Sequence, residues 1–287
     1  MSTTTSMANS DSKMKCMEVW GGHGSRENHL ARPGLDIWIR SHSVSDSEAG
    51  GSDLHLLSSC SSGRVTRMMM ADICSQGSQF EELVDELREL MKRNINTIRQ
   101  TRIVQQINHQ LEESSELGCF ATVMVGTYFS PTRSLSLCNT GHPPPLLFRA
   151  AEQKWSVLKK KPAGSPQTTG WLGVVNVDEY QHFQTKLQPG DMILSYSDTL
   201  TQCQTSTGQT LGIHGLLDRV RSLAFDEPNQ LLARLIQQIK SEDPVNLAID
   251  DTTVLLCKAT STSVPWLDNL LAPFRYLQGA TDKTYMD

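Results

Sequence analysis

Two apolar runs in this sequence end on an aspartate, where apolar strands more often stop at Gly, Asn or Pro. Asp72 ends the run MMMAD, and Asp198 ends the run LSYSD. A carboxylate at the mouth of a buried strand is unfavourable unless another group compensates its charge. Asp53 opens the strand that precedes the Asp72 strand in a predicted hairpin. Because these two strand ends meet at one edge of an antiparallel hairpin, Asp53 and Asp72 should be neighbours.

A second group of aspartates repeats this geometry near the C-terminus. Asp198 ends the strand MILSYS, while Asp250 and Asp251 open the strand TTVLLCK. If the two strands pair antiparallel and both groups meet, about four negative charges lie within several ångströms, which requires cations. An all-oxygen cluster suits Mg²⁺ or Mn²⁺. Two such ions sharing an aspartate can activate water and stabilise an in-line phosphoryl displacement.

Each of these aspartates taken alone has a simpler interpretation. An aspartate at a strand end is commonly a turn residue or the N-cap of a helix. The metal hypothesis therefore depends on the whole set. His142, in NTGHPPP, could be a catalytic base, but a histidine at a strand end is commonly a hydrogen-bonded structural residue.

Helical and extended patterns alternate along the chain in blocks. In SQFEELVDELRELMKRNINTI the apolar residues follow helical spacing, and the pair Ser78 and Glu81 predicts a helix start just past Gly77. A second helix is predicted from about 97 to 113, and one or two more between 212 and 240. Short strands flank these helices, and a polar loop is expected between two N-terminal strands. Runs of strands interrupted by a helix pair predict an α+β layered domain.

The composition and charge of the chain limit the classes of function that it can have. The chain has 287 residues, 38% of them hydrophobic and 20% charged, with a net charge of −5. This charge does not indicate binding to nucleic acid or to an anionic membrane, and no apolar run reaches transmembrane length. Residues 1–15 lack the apolar core of a signal peptide and are expected to be a disordered tail. The seven cysteines form no C-x-x-C pair, which favours reduced thiols in a cytoplasmic protein.

The motifs of the chain follow a recognisable order. In sequence they read GSDLH, MADICSQG, FATVMVGTYF, LCNTGHPPPLLFR, LQPGDMILSYSDTLTQ and DDTTVLL. Together they resemble the metal-dependent Ser/Thr protein phosphatases of the PPM class, in their SpoIIE-like bacterial branch, over residues 50–258. The resemblance implies a β-sandwich of two antiparallel sheets flanked by antiparallel helix pairs. The corresponding domain would span 16–258, with a C-terminal extension at 259–287.

The resemblance also implies a site and a reaction. Two Mn²⁺ or Mg²⁺ ions would be held by side chains and one backbone carbonyl, at the positions Asp53, Asp72, Ile73 (carbonyl), Asp198 and Asp250. A metal-activated water would then hydrolyse phosphoserine or phosphothreonine on a regulatory protein, such as an anti-sigma-factor antagonist. The two helices between 79 and 113 would be a regulatory switch in this branch, although they are equally compatible with a purely structural role.

Several residues depart from the pattern of that branch. The second motif has lost a glycine and a lysine, and Thr199 and Gln202 replace the glycine and glutamate that follow Asp198. Glycine gives the backbone freedom that other residues lack. These departures keep open a catalytically weak domain that acts as a binding or scaffold module. A metal-dependent phosphatase acting on small molecules is a third possibility. Sequence alone gives no oligomeric state.

Overall fold

A computed structural model describes most of the chain. The described ranges are 19–44, 52–60, 62–74, 78–98, 100–115, 120–158 and 181–264. The predicted tail at 1–15 and the C-terminal extension beyond residue 264 lie outside them.

Two six-stranded antiparallel sheets form the centre of the fold. The first has the order β1-β4-β5-β6-β7-β10, and the second the order β2-β3-β12-β11-β8-β9. The strands are β1 Val19–Gly22, β2 Arg26–Arg32, β3 Leu35–His42, β4 Asp53–Ser59, β5 Val65–Cys74, β6 Phe120–Phe129, β7 Ser134–Thr140, β8 Leu146–Arg149, β9 Lys154–Val157, β10 Gln181–Lys186, β11 Met192–Tyr196 and β12 Thr252–Ala259.

Helices cover the outer faces of both sheets. The helices are α1 Ser78–Arg93, α2 Gln100–Ser115, α3 Thr199–Gln202, α4 Gly212–Ser222 and α5 Pro228–Glu242. One apolar cluster joins α1 and α2 to the first sheet, a second fills the space between the sheets, and a third joins the second sheet to α4 and α5. The α+β sandwich predicted from the sequence is confirmed.

Burial on both faces explains the continuous apolar runs of the central strands. All seven residues of β4 are buried, because one face meets the second sheet and the other meets the helices. Strand β2 is different, and the prediction of a polar loop there was wrong. It is an edge strand in which only Leu30 is buried, so its sequence lacks an apolar pattern.

A buried arginine fixes the turn between α1 and α2. Arg67, on β5, is fully buried and donates to the carbonyl oxygens of Asn94 (2.8 Å) and Thr97, and to Thr127 Oγ1 (3.3 Å). These acceptors occupy the guanidinium donors, which a buried charge requires. Residues 94–97 are therefore held as a turn, and α2 begins at Gln100 rather than near 97 as the sequence predicted.

Two further expectations concern cysteines and membranes. Cys60, Cys138, Cys203 and Cys257 are free and buried, as predicted for reduced thiols. In the described part of the chain, every helix is too short or too polar to cross a bilayer.

Candidate metal centre

The first aspartate pair lies at the end of the β4–β5 hairpin. The register of these strands places Asp53 directly opposite Asp72. The backbone N–H of Ile73 donates to the carbonyl oxygen of Ser52 (2.9 Å), which extends the pairing past the end of β4. The sequence prediction that Asp53 and Asp72 are neighbours is therefore confirmed. Ile73 follows Asp72 in β5, as the predicted carbonyl ligand must.

The second group lies at the end of the β11–β12 pair. These strands are antiparallel neighbours in which Tyr196 lies opposite Val254. Beyond this point the Ser197 N–H donates to the Thr253 carbonyl oxygen (2.9 Å), and the Thr253 N–H donates to Ser197 Oγ (3.0 Å). Asp198 therefore leaves its strand where Asp250 and Asp251 approach theirs, as the sequence predicts.

Both groups meet where the two sheets face each other. Asp53, from the first sheet, interacts with the Thr253 and Ser197 side chains of the second. The charge of Asp198 raises the pKa of Asp72, and the charges of Asp250 and Asp251 raise it more weakly. The structure thus brings together all four predicted aspartates and adds Asp251 to them.

Within the described residues, this negative charge has no cationic partner. Burial and then the Asp72 charge raise the pKa of Asp53 to about 8, although hydrogen bonds from Thr253 and Ser197 act to lower it. Burial and the neighbouring Asp198 raise the pKa of Asp72 to about 6, and burial followed by Asp250 raises the pKa of Asp198. Among the described residues, none of the ion pairs includes one of these carboxylates.

The donor set fits hard divalent cations. Asp53 Oδ2 is buried and has no hydrogen-bond partner, so a fully ionised Asp53 needs a positive neighbour. As the described side chains stand, no three of the His, Cys, Asp or Glu type converge closely enough to enclose one ion. Mg²⁺ and similar ions retain several waters and use few protein ligands, so oxygen donors at the wall of a wet cleft suit them better than a closed cage.

Asp251 has a structural role that the sequence did not reveal. It is 5% exposed, and its Oδ1 accepts the backbone N–H of Val44 (2.9 Å). Its own N–H donates to Asp250 Oδ1 (2.8 Å), and its carbonyl oxygen accepts the Thr199 hydroxyl (2.6 Å). Asp251 therefore connects β3, α3 and β12 next to the carboxylate cluster.

The two departures after Asp198 are accommodated without strain. Asp198 has helical backbone angles (φ −63°, ψ −25°), and α3 begins at Thr199, so no left-handed conformation is needed there. The Thr199 hydroxyl makes the bond to Asp251, and Gln202 Nε2 donates to Asp198 Oδ2 (2.7 Å). Gln202 thus orients a carboxylate of the cluster, and Thr199 holds the backbone of Asp251.

His142 lies in a turn that contacts both sheets. It is 5% exposed, and its Nδ1 lies 3.1 Å from the hydroxyl of Thr122, the residue opposite Asp72 on β6. Burial lowers the pKa of His142 to about 4. Two residues on, the Pro144 carbonyl oxygen accepts the Tyr196 hydroxyl (2.9 Å) from the second sheet. These contacts favour the structural role over that of a catalytic base.

Comparison with known proteins identifies the family. A profile of the family described as Stage II sporulation protein E (SpoIIE) matches residues 63–260. The chain belongs to the SpoIIE family. Among curated members and relatives, the phosphoserine phosphatase RsbU of Bacillus subtilis is 23% identical over 111 residues, which are 39% of this chain and 31% of RsbU. Protein IcfG of Synechocystis is 22% identical over 143 residues, 50% of this chain and 21% of IcfG. The chain thus spans less than a third of these relatives.

Solved structures of PPM-type phosphatases share the fold. The RsbU and RsbW domains of a Mycobacterium tuberculosis protein superpose with a TM-score of 0.63 at 20% identity, over 88% of this chain and 71% of that one. The PP2C domain of SiaA from Pseudomonas aeruginosa gives 0.61 at 14%, over 77% and 85%. RsbX in complex with magnesium gives 0.58 at 13%, over 82% and 100%. The SpoIIE-family sandwich of this chain is therefore a PPM phosphatase fold.

Proposed function

We propose that this chain is a cytoplasmic, metal-dependent phosphoprotein phosphatase that hydrolyses phosphoserine or phosphothreonine. One observation carries the proposal: carboxylates from both sheets converge, from buried Asp53 to exposed Asp250, and none of the ion pairs among the described residues includes one of them. Burial, and then the charge of a neighbouring aspartate, raises the pKa values of Asp53 and Asp72, which supports a site where negative charge accumulates. A purely structural site would contain the compensating donors within the chain.

Two Mn²⁺ or Mg²⁺ ions would be held by Asp53, Asp72, Asp198, Asp250 and the Ile73 carbonyl. When bound, such ions lower the pKa of water and offset the charge of a phosphoryl group. The residues of the chain hold the cluster in place for this task. Gln202 donates to the Asp198 carboxylate, and the Asp251 backbone N–H donates to the Asp250 carboxylate, so both side chains are oriented.

The substrate follows by analogy with the relatives. RsbU is named a phosphoserine phosphatase, which supports a phosphorylated regulatory protein as the substrate, such as an anti-sigma-factor antagonist in a partner-switching pathway. The net charge of −5 agrees with a protein substrate rather than nucleic acid or a membrane surface.

Hydrolysis of p-nitrophenyl phosphate and of a phosphothreonine peptide tests the proposal. Wild-type protein should turn over both with Mn²⁺ or Mg²⁺ and neither with EDTA. Asp198→Asn should reduce turnover more than about 100-fold, because even outer partners of metal ligands typically contribute 10- to 100-fold. The control is Asp218→Asn on α4, which removes a carboxylate that is 66% exposed and should leave turnover unchanged.

Three results would contradict the proposal. Turnover that persists in EDTA would exclude the metal dependence. A folded protein without turnover in any metal would instead favour the binding or scaffold module, which should keep its partner after Asp72→Asn or Asp198→Asn. Turnover of small phosphate esters but of no phosphoprotein would favour a small-molecule phosphatase.

A further inference from the structure

Residues 243–251 form the loop that leads from α5 to Asp250. Hydrogen bonds of one buried side chain hold this loop in place. Asn246 is 7% exposed, and its side-chain oxygen accepts the Gln204 N–H (2.8 Å). Its side-chain nitrogen donates to the carbonyl oxygens of Gln204 (2.8 Å) and Ile239 (2.9 Å). This one amide therefore ties the loop both to the segment after α3 and to α5.

Leu247 supplies a second anchor in the same loop. It is 4% exposed and packs in the cluster between the second sheet and its helices. Its φ of +58° lies in the left-handed region, which is rare for a residue other than glycine. Leu247 is buried in this conformation, whereas two other apolar side chains of the same loop lie at the surface. Val245 is 54% exposed and Ile249 is 75% exposed.

Exposed apolar side chains gather beside the carboxylate cluster. Within the described residues, four large hydrophobic side chains are exposed, and three of them lie here: Val44, Val245 and Ile249. The Val44 N–H binds Asp251, so this residue lies at the edge of the cluster. Single exposed apolar residues are ordinary on a protein surface, but a group next to a candidate active site indicates binding.

Two of these side chains share a pocket with a predicted metal ligand. Val245, Ile249 and Asp250 line a cavity of about 270 Å³, which we term the loop pocket. This volume admits one branched or aromatic side chain. Its described lining contains two acids, Asp243 and Asp250, and no Lys, Arg or His. Thr199, Gln202, Gln204 and Asn246 also line it, so its apolar lining comes from Val245, Leu247, Ile249 and Cys203. These apolar residues favour an apolar group, and the two carboxylates disfavour an acidic one.

We propose that the loop pocket binds an apolar side chain of the phosphoprotein substrate, close in sequence to the phosphorylated residue. The inference rests on the proposed function, because it places the phosphoryl group at the cluster beside Asp250. An extended peptide advances about 3.3 Å per residue, so the pocket reaches side chains within about three positions of the phosphorylated one. Such a peptide carries no acid next to its phosphorylated residue.

Kinetics with matched phosphothreonine peptides test this assignment. The peptides differ only at the three positions on either side of the phosphothreonine, which are filled with Leu, Ser or Glu. Wild-type protein with Mn²⁺ should show a kcat/KM about tenfold higher for the Leu peptide than for the Ser peptide, with the Glu peptide lowest. Ile249→Ser and Val245→Ser should each reduce the Leu preference to about twofold while turnover of p-nitrophenyl phosphate stays unchanged.

Ile98→Ser is the matched control variant. Ile98 is 55% exposed and directly follows the turn held by Arg67. Arg67 lies five strand positions, or about 17 Å, from Asp72 on β5. This variant should retain the wild-type preference. Because Ile249 adjoins Asp250, Val245→Ser provides the reading that is independent of the metal ligands.

Several outcomes would overturn the assignment. Equal kcat/KM for the Leu and Ser peptides in wild-type protein, with p-nitrophenyl phosphate turned over, would refute the pocket and leave the phosphatase standing. Absence of turnover by the wild-type protein would refute the phosphatase. Equal binding of fluorescent Leu and Ser peptides would then refute the pocket as well. A dimer that Ile249→Ser dissociates would assign the surface to a second copy, and a lower Tm in that variant would assign it to an internal contact.

Discussion

Strand β11 has an aspartate at each end, and the two carboxylates have opposite surroundings. Asp191 precedes the strand and is 2% exposed, but three donors reach it. Arg149 Nη1 and the Gln188 N–H donate to its Oδ2 (2.7 and 2.9 Å), and the Ala150 N–H donates to its Oδ1 (2.9 Å). Asp198 follows the strand and faces Asp72 and Asp250, and its donors are the Gln202 amide and the backbone of Thr199 and of Asp198 itself, with no arginine among them.

This difference separates a carboxylate that the fold pairs with donors from one that we propose as a metal ligand. Both aspartates lie at an end of β11, although Asp191 is buried and Asp198 is half-buried. The partners differ: an arginine and two backbone N–H groups complete the charge of Asp191, whereas other carboxylates surround Asp198. A group whose charge the chain completes stabilises the fold. A group whose charge the chain leaves incomplete needs something from solution.

The largest contrast should appear when each aspartate is replaced by asparagine. Asp191→Asn breaks a buried ion pair and can place an amide nitrogen where an oxygen accepted a backbone N–H. The free energy of unfolding should therefore decrease by about 3 kcal/mol. Asp198→Asn removes a repelled charge and should leave the Tm in EDTA unchanged or raise it. Thermal denaturation followed by circular dichroism measures both. An equal loss of stability in the two variants would mean that the ends of β11 are not different in kind.

A smaller effect should appear in the pH dependence of the metal-free protein. The pKa values of Asp53 and Asp72 are raised to about 8 and about 6, from 3.8. The folded state therefore binds these protons more tightly than the unfolded state, and stability decreases as pH rises from about 4 to 8. In EDTA, the Tm should fall by about 5 °C between pH 5 and pH 8 through these groups.

Asp53→Asn isolates this contribution from other titrating groups. The variant should lose most of the decrease with pH, and Mn²⁺ should flatten the wild-type curve because a bound cation favours the ionised carboxylates. Parallel curves for wild type and Asp53→Asn in EDTA would show that the cluster already has a compensating charge.

The smallest effect concerns the hydroxyl that joins the two loops of the cluster. Thr199→Ala removes the donor to the Asp251 carbonyl oxygen and should reduce the free energy of unfolding by about 1 kcal/mol, or roughly 3 °C in Tm. Thr199→Ser keeps the donor and should restore most of the loss. Turnover should decrease only a few-fold. If Thr199→Gly instead exceeded wild type in stability, the threonine would be a strained replacement and not a supporting one.

Hairpin geometry made one half of the site predictable. Strand register follows from alternation and turn length, so the pairing of Asp53 with Asp72 could be predicted from sequence. The approach of Asp198 to Asp250 required the further assumption that β11 and β12 are neighbours, which the structure confirms.

Contacts between distant loops were not predictable in the same way. The bond from Thr199 to Asp251 depends on where α3 begins, and the left-handed Leu247 has no sequence signal. Edge strand β2 escaped detection because a strand with one solvent-exposed side needs few apolar residues.

The candidate metal centre has a consequence for how the chain folds. Its aspartates come from two sheets and from sequence positions as far apart as Asp53 and Asp251. Contacts of such long sequence separation are slow to form, because a long loop must close before they are gained. Neither sheet alone contains the complete site, so the ion-binding surface forms only as the sandwich closes. Divalent cations should therefore leave the folding rate almost unchanged. They should slow unfolding, because they bind only the closed sandwich.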